Sequence, residues 1–366
     1  MNFTNQMQTT QLHRITEATE WRTTLAALPE PHVLQSWEWG EAKAQTEWRA
    51  VRYALREQNG SLVAAFQLLL RRGPAGLPFS IGYIPKGPVV DWTQSSHVKA
   101  TLDLIAKVGR QERSLFVKID PNVREDQPEG QQLLQQLALG GWKVSQEQIQ
   151  FKNTAFSQIE PDHDSPEEQL LAQIKNKWRY NIRLAKRRGI EVRQGNVTDL
   201  ASFYELYAET GERDAFLIRP YAYYKDVWGR YLAAQDDLDN PAGGTLLLAE
   251  HQEEPSAIAG LFLMRYGQRT WYFYGASSNR RRRDMPNHLL QWEALCWAIR
   301  QGSTVYDWWG APTNPDDPDD SLAGVWRFKQ GFGAQLQSHV GAWDLVTSPL
   351  LFAFYNRLMP LIKRFV

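Results

Sequence analysis

The stretch from Thr270 to Gly310 constrains the fold most, because it changes from strand-like to helix-like patterning and back around one charged loop. Residues 271–274 are Trp, Tyr, Phe and Tyr, an aromatic run that favours a pleated strand, and Gly275 closes it. Asp284 and Pro286 are helix-start signals, and Gly302 is a stop. Between them Leu289, Trp292, Cys296 and Ile299 fall on one helical face, with Leu290, Ala294 and Trp297 beside it. Little of this helix need meet water. Thr304–Trp308 then reads as a second strand. Two strands joined through a helix pair in parallel, and ligands of such units bind beyond the strand C-termini, at the helix N-terminus. Arg280, Arg281, Arg282 and Arg283 occupy that position, so the pattern predicts an anionic ligand there.

The same order occurs earlier in the chain. A hairpin, Trp48–Leu55 and Leu62–Leu70, turns at Asn59 and Gly60 and is followed by a strand at 79–83. A loop at 84–91, a helix from Ser95 to Gln111 and a buried strand at 115–120 complete it, and Pro121 ends that strand. In the second occurrence 245–250 and 256–265 form the hairpin. The spacing, roughly 190 residues, suits a duplicated domain rather than a short repeat. The expectation is therefore an α/β (α+β) chain of two domains, 1–158 and 159–344, with the tail 345–366 packed back on the first. A length of 366 residues agrees with two domains. Residues 1–14 read as a frayed terminus, and Ser36 as the N-cap of a short helix.

Charge and cysteine content exclude several classes. Lys and Arg number 41 and so do Asp and Glu, so any polyanion site must be a local patch. The single cysteine, Cys296, leaves no internal disulfide and fits a reducing cytoplasm. The N-terminus lacks the pattern of a signal peptide, and no apolar run is long enough to span a bilayer. The seven histidines show no metal-ligand spacing, and the aspartates of 314–320 read as a solvated proline-bearing loop. No GxSxG, P-loop or strand-following GxGxxG occurs, so nucleophilic and NTP-driven chemistry have no support.

A helix is expected from Ser165 to Arg188. It carries Lys175, Lys177, Arg179, Arg183, Lys186, Arg187 and Arg188, with no acid between Glu168 and Glu191. Solvated helices gain from opposite charges at i,i+4, so a one-sign helix in a neutral chain points to phosphate. An RNA backbone and a nucleotide diphosphate both fit. The loop 279–286 contains no glycine, which disfavours the backbone wrap that a CoA pyrophosphate needs. Residues 324–333 pack Lys329 among aromatics and glycines in what reads as a turn, and a lysine there can neutralise an oxyanion or a phosphate.

Several stretches together resemble the Fem family of peptidoglycan peptidyltransferases: 35–43, 83–91, 177–186, 213–223, 272–278, 306–310 and 326–333. They run in order over nearly the whole chain. The resemblance implies two tandem acetyltransferase-like (GNAT-like) domains, in agreement with the duplication. The segment 189–244 has room only for short helices, so the long helical arm of some members is missing and the chain resembles the compact FemX type. The resemblance implies an aminoacyl-tRNA donor and, as acceptor, the stem-peptide amine of a peptidoglycan precursor, UDP-linked or lipid-linked. Because the ester donor is already activated, it implies no cofactor and no metal.

By the same resemblance Lys329 gives electrostatic help at the tRNA 3′ end, with Phe328 stacking near it, and Asp91 orients or deprotonates the amine. Lys43, Tyr83, Arg219, Tyr223, Tyr272 and Tyr274 resemble the acceptor site, the two cations suiting the diphosphate and the tyrosines the uridine, sugar and peptide. Lys175, Lys177, Arg179, Arg183, Lys186, Arg280 and Arg282 are candidates for tRNA or phosphate contact. Two other classes stay open: an acyl-CoA-dependent N-acyltransferase, and a tRNA- or nucleotide-binding protein without transfer chemistry. The apolar tail 348–366, with basic residues near its end, suits either a membrane surface or a core.

Overall fold

The computed structural model describes residues 10–73, 79–349 and 352. The chain divides into two compact units. The first takes the chain as far as Lys152 and again from Ser338; the second is Asn153–Gln337.

The first unit begins with β1 (Gln11–Ile15), α1 (Ala18–Ala26) and α2 (Trp37–Ala44). The Ser36 hydroxyl accepts the Trp39 amide, as an N-cap does. Then come β2 (Trp48–Arg56), β3 (Leu62–Arg72), β4 (Ser80–Ile84), β5 (Val89–Val90), α3 (Ser95–Gln111), β6 (Ser114–Ile119), α4 (Pro128–Leu139) and β7 (Lys143–Val144). The terminus expected to fray instead supplies an edge strand from residue 11, antiparallel to β2. The helix α4 had no counterpart in the sequence reading. β4 and β6 run parallel, joined through α3, and remain paired as far as Ile84 and Ile119. Val98, Leu102, Ile105 and Val108 of α3 recur at helical spacing and pack on Val117 and Ile119 of the sheet.

The second unit opens with β8 (Asn153–Gln158), α5 (Pro166–Gln173) and α6 (Asn176–Arg187), then β9 (Ile190–Gly195), α7 (Leu200–Asp214) and α8 (Tyr221–Gln235). The core follows as β10 (Ala242–His251), β11 (Ala259–Tyr266), β12 (Arg269–Ser277), α9 (Pro286–Arg300), β13 (Val305–Gly310), α10 (Ala323–Gly331) and β14 (Gln335–Ser338). The single helix expected over 165–188 is two helices. Ile174 is extended and buried, and the Lys175 amide donates to the Gly331 carbonyl at 2.9 Å. Burying Ile174 and docking on α10 outweigh the helical bonds lost at the break. Residues 324–333, read as a turn, are largely helix α10.

The strand β15 (Trp343–Val346) lies between β6 and β7, antiparallel to both, in the order β1-β2-β3-β4-β6-β15-β7. The second sheet runs β9-β10-β11-β12-β13-β8-β14. The two orders correspond strand for strand, but the strand beyond each parallel pair arrives from opposite directions along the chain. β15 follows the second unit and completes the first sheet, whereas β8 precedes the second unit's other strands. The domain limits read from sequence, 158 and 344, miss this: β8 pairs with β13 and so belongs to the second unit from Asn153. Apart from its first few residues and 352, the apolar tail lies outside the described residues. Among the described residues no helix is long and apolar enough to cross a membrane.

Candidate active site

In the first unit, β4 and β6 end side by side, and their ends bring Tyr83 and Asp120 together. The Tyr83 hydroxyl donates to Asp120 Oδ2 at 2.7 Å, and the Lys86 amide donates to Oδ1 at 2.6 Å. All three residues are buried. Burial pushes the Asp120 carboxyl above its ordinary range, against the opposing pull of Lys86, and burial with the Asp120 charge drives the Tyr83 phenol well up. Arg52 is buried under Trp37, 3.6 Å from the ring, and donates to Gln67 at 2.8 Å and Glu41 at 3.0 Å. Lys43 lies with its ammonium 4.5 Å over the Trp39 ring. Asp91 accepts from the Thr93 amide at 3.0 Å and hydroxyl at 2.7 Å, a local turn leading into α3. Tyr83, expected to face an acceptor, is therefore a buried donor to Asp120, and Asp91 is held by its own loop.

The second unit differs from the first where its parallel strands end. β12 and β13 pair only from Arg269 with Val305 to Trp271 with Asp307. Each then has a register shift against its other neighbour, near Phe273 and Trp308 respectively. Beyond Trp271 the two strands diverge. Phe273 packs on Trp309 in a tilted arrangement with ring centroids 4.5 Å apart, and Trp309 has the left-handed φ of 63°. Its amide is held by Asp307 Oδ1 at 2.9 Å. Gly275 lies beside the shift, and a Cβ there would lie 1.8 Å from the Tyr272 hydroxyl, so a larger residue would displace that ring.

Lys329 reaches the end of β13 from α10. Its Nζ donates to the Gly310 carbonyl at 2.6 Å, with the Trp309 carbonyl at 3.5 Å, and the residue is 4% exposed. Burial lowers its pKa to about 7, and the Asp307 charge opposes the shift. A lysine so placed exchanges a proton near neutrality and carries charge in a low-dielectric site, two properties common in catalytic groups. Phe328, expected to stack beside it, instead packs against His288 and Phe332, each 5.2 Å away, while its carbonyl accepts the Trp178 indole at 3.1 Å. His288 sits in the first turn of α9 with its Nε2 3.0 Å from the Asn181 amide nitrogen, and burial, helped by Lys177, lowers it to about 4.

Around Tyr274 the second unit holds an aromatic cluster. Its ring meets Tyr207, Tyr224 and Trp228 edge-on at 5.9, 5.7 and 5.7 Å. Tyr223 packs on Tyr224 at 5.2 Å, and the exposed Arg219 lies 4.9 Å over the Tyr223 ring. Burial raises Tyr223 and Tyr272 to about 12 and Tyr274 further, so all remain neutral hydrogen-bonding phenols.

The arginine loop departs from expectation. Arg280 donates to Glu254 at 2.9 Å and to Ser256 and the Ala257 carbonyl at 3.1 Å; Arg281 pairs with Glu253, Glu254 and Asp284. Their charge is neutralised within the unit because Glu253 and Glu254, in the β10–β11 turn, face the loop. Arg282 and Arg283 are exposed. The aspartates at 314–320 close local turns, Asp320 accepting from the Thr313 and Leu322 amides and Asp317 from Asp319. Among the described residues no cluster of three or more His, Cys, Asp or Glu is placed to hold a metal.

Sequence reasoning overlooked Asp120, Asp307 and His288. The signal for the two acids was present: each interrupts or ends an otherwise buried strand, where a carboxylate needs a partner. His288 carried no such mark.

The FemAB family model matches residues 4–237 and 244–359. The lipid II:glycine glycyltransferase of Staphylococcus epidermidis strain RP62A is 29% identical over 395 residues, covering 92% of this chain and 93% of its own. That of Staphylococcus aureus strain MRSA252 is 28% identical over 400 residues, with the same coverage. Both alignments are longer than this chain, so those relatives hold segments without a counterpart here. Between Gly189 and Gly244 the present chain has β9, a 3-10 turn at Val197–Asp199, α7, α8 and the start of β10. The crystal structure of FemX superposes with a TM-score of 0.81 and 26% identity, covering 93% of this chain and 99% of that one. A tandem GNAT protein from the clavulanic acid biosynthesis pathway shares the fold, with a TM-score of 0.54 at 12% identity over 93% of this chain and 99% of its own. With nearly all of the chain matched by one family model, and with two sheets ordered alike around parallel strand pairs, this protein belongs to the FemAB family.

Proposed function

We propose that this protein transfers an amino acid from an aminoacyl-tRNA to the stem-peptide amine of a peptidoglycan precursor, UDP-linked or lipid-linked, and so builds the interpeptide bridge. The family and the glycyltransferase activity named for its relatives support the class of reaction. The observation that carries it for this chain is Lys329, an amine of pKa about 7 buried where β12 and β13 part. The neutral acceptor amine attacks the ester carbonyl, a tetrahedral oxyanion forms, and the ribose oxygen leaves as the amide forms. The Lys329 ammonium stabilises the oxyanion and gives a proton to the departing ribose oxygen. The ammonium that forms on attack passes its proton to the Lys329 amine so produced, which restores the lysine and balances the step. With an activated ester as donor, the step calls for no ATP, cofactor or metal, and its substrates place the reaction in the cytoplasm.

In this reading Arg219 and the tyrosines of the second unit serve the acceptor. The precursor's lipid-linked form would bring the protein to the inner membrane surface. An acyl-CoA donor is the weaker reading: the loop before α9 has no glycine, and Arg280 and Arg281 are already paired with acids. The test is a transfer assay with radiolabelled bulk aminoacyl-tRNA against UDP-muropeptide and lipid II, with RNase-treated donor and acetyl-CoA alongside. RNase-sensitive label in either precursor is expected, and the precursor that takes it names the acceptor. Consumption of acetyl-CoA with no RNA-dependent transfer would overturn the reading.

A further inference from the structure

We propose that the exposed face of α6 is the track for the single-stranded 3′-terminal segment of the donor RNA. This rests on the tRNA-dependent reading above and adds where the RNA lies. Helix α6 is fastened to the helix that carries Lys329 by two bonds: the Lys175 amide donates to the Gly331 carbonyl, and the Trp178 indole to the Phe328 carbonyl. Gly331 allows this, since a Cβ there would lie 2.0 Å from the Trp178 ring. The track thus starts within one helical turn of the reactive lysine.

Along it Lys177, Arg183 and Arg187 are exposed, and no ion pair engages them among the described residues. Lys186 and Arg188 are different, lying 3.3 Å from Glu293 and 3.7 Å from Asp284. The free cations are spaced over ten residues, about 15 Å of helix, and a strand rising 3.4 Å per nucleotide covers that length in roughly four nucleotides. Tyr180 stands among them, 51% exposed, with the Arg187 guanidinium 5.6 Å over its ring. An exposed aromatic between unpaired cations is the arrangement by which proteins hold single strands, stacking a base while charges follow the backbone. Helical packing gives no reason for a large aromatic ring to face water there. A duplex would present phosphates but no free base face, so the tyrosine favours the single strand.

The test uses the full chain and two uncharged RNA hairpins, one ending in a four-nucleotide 3′ overhang and one blunt, with binding read by anisotropy at several salt concentrations. Lys177→Ala/Arg183→Ala/Arg187→Ala should weaken overhang binding and make the log–log salt slope shallower by about 2, at about 0.7 per phosphate contact. Tyr180→Ala should weaken it about tenfold, and Tyr180→Phe should restore it. Equal binding of overhang and blunt hairpins, or unchanged binding by both α6 variants, would overturn the track. Wild-type transfer from aminoacyl-tRNA, measured in parallel, separates the two failures. Transfer present with the variants unaffected sinks the track alone; no RNA binding together with no RNA-dependent transfer sinks both.

Discussion

Replacing Lys329 by methionine should make the folded protein more stable at low pH, less stable at high pH, and inactive at both. An ordinary lysine has a value of 10.5, and burial brings Lys329 to about 7. Between these values the unfolded chain holds a proton that the folded chain has released, so wild-type stability rises with pH across that window. The lysine is fully penalising below pH 7 and ceases to be so as pH passes 10.5. At 1.36 kcal/mol per unit, the penalty is at most about 5 kcal/mol at pH 6, about 3 kcal/mol at pH 8 and about 1 kcal/mol at pH 10. Methionine removes it, but leaves the carbonyl of Gly310 without its donor, a loss of about 1–3 kcal/mol. The difference between variant and wild type should therefore change sign above pH 8. Urea unfolding at pH 6, 8 and 10 reads it directly. A difference constant across the three buffers would refute the reasoning, because it would mean that Lys329 does not titrate between 7 and 10.5. Transfer should fall by at least about a hundredfold in the variant. In the wild type, the rate should decline above pH 7 as the ammonium is lost, a limb that Lys329→Arg should displace to higher pH.

His288, lowered to about 4, should penalise the fold as pH drops from 6.5 towards 4. Its partial exposure reduces the effect to about 2 kcal/mol, and His288→Gln should flatten the fall in urea midpoint over that range. Gly331→Ala sets a Cβ 2.0 Å from the Trp178 ring. It should lower stability by about 1–3 kcal/mol and alter tryptophan emission as α6 lifts from α10; an unchanged Tm would contradict the contact. Arg52→Ala removes the donor to Gln67 and Glu41 under Trp37, and calorimetry should show a loss of about 2–3 kcal/mol.

Much of the fold was legible because its patterns are local. Trp271 to Tyr274, the Asn287–Arg300 periodicity and the Asn59–Gly60 turn each state their element within a few residues, and their repetition stated the duplication. The misreadings share a cause. β1 is a mostly exposed edge strand whose only buried residue is Ile15, so it carries no hydrophobic alternation. The break at Ile174 is made by Gly331, more than 150 residues away, and nothing in 165–188 announces it. The exchange of β8 and β15 is likewise a matter of partners. Each strand looks ordinary, and only the pairing shows which sheet it completes.

The site divides along the same line. That Lys329 is a candidate could be read from its motif, but its character could not. The same lysine on a solvated turn would have an ordinary value and a mobile charge. What makes it chemically distinct is that α10 is a helix, that the helix is fastened to α6, and that its ammonium is thereby buried at the end of β13, bonded to the Gly310 carbonyl and near the Asp307 charge. Arg280 and Arg281 show the converse. Their sequence position, between a strand and a helix, promised an anion site, yet Glu253 and Glu254 in a neighbouring turn claim them. Charge in a sequence is thus a weak guide to charge available to a ligand, whereas the one-sign face of α6, which few nearby acids answer, is both.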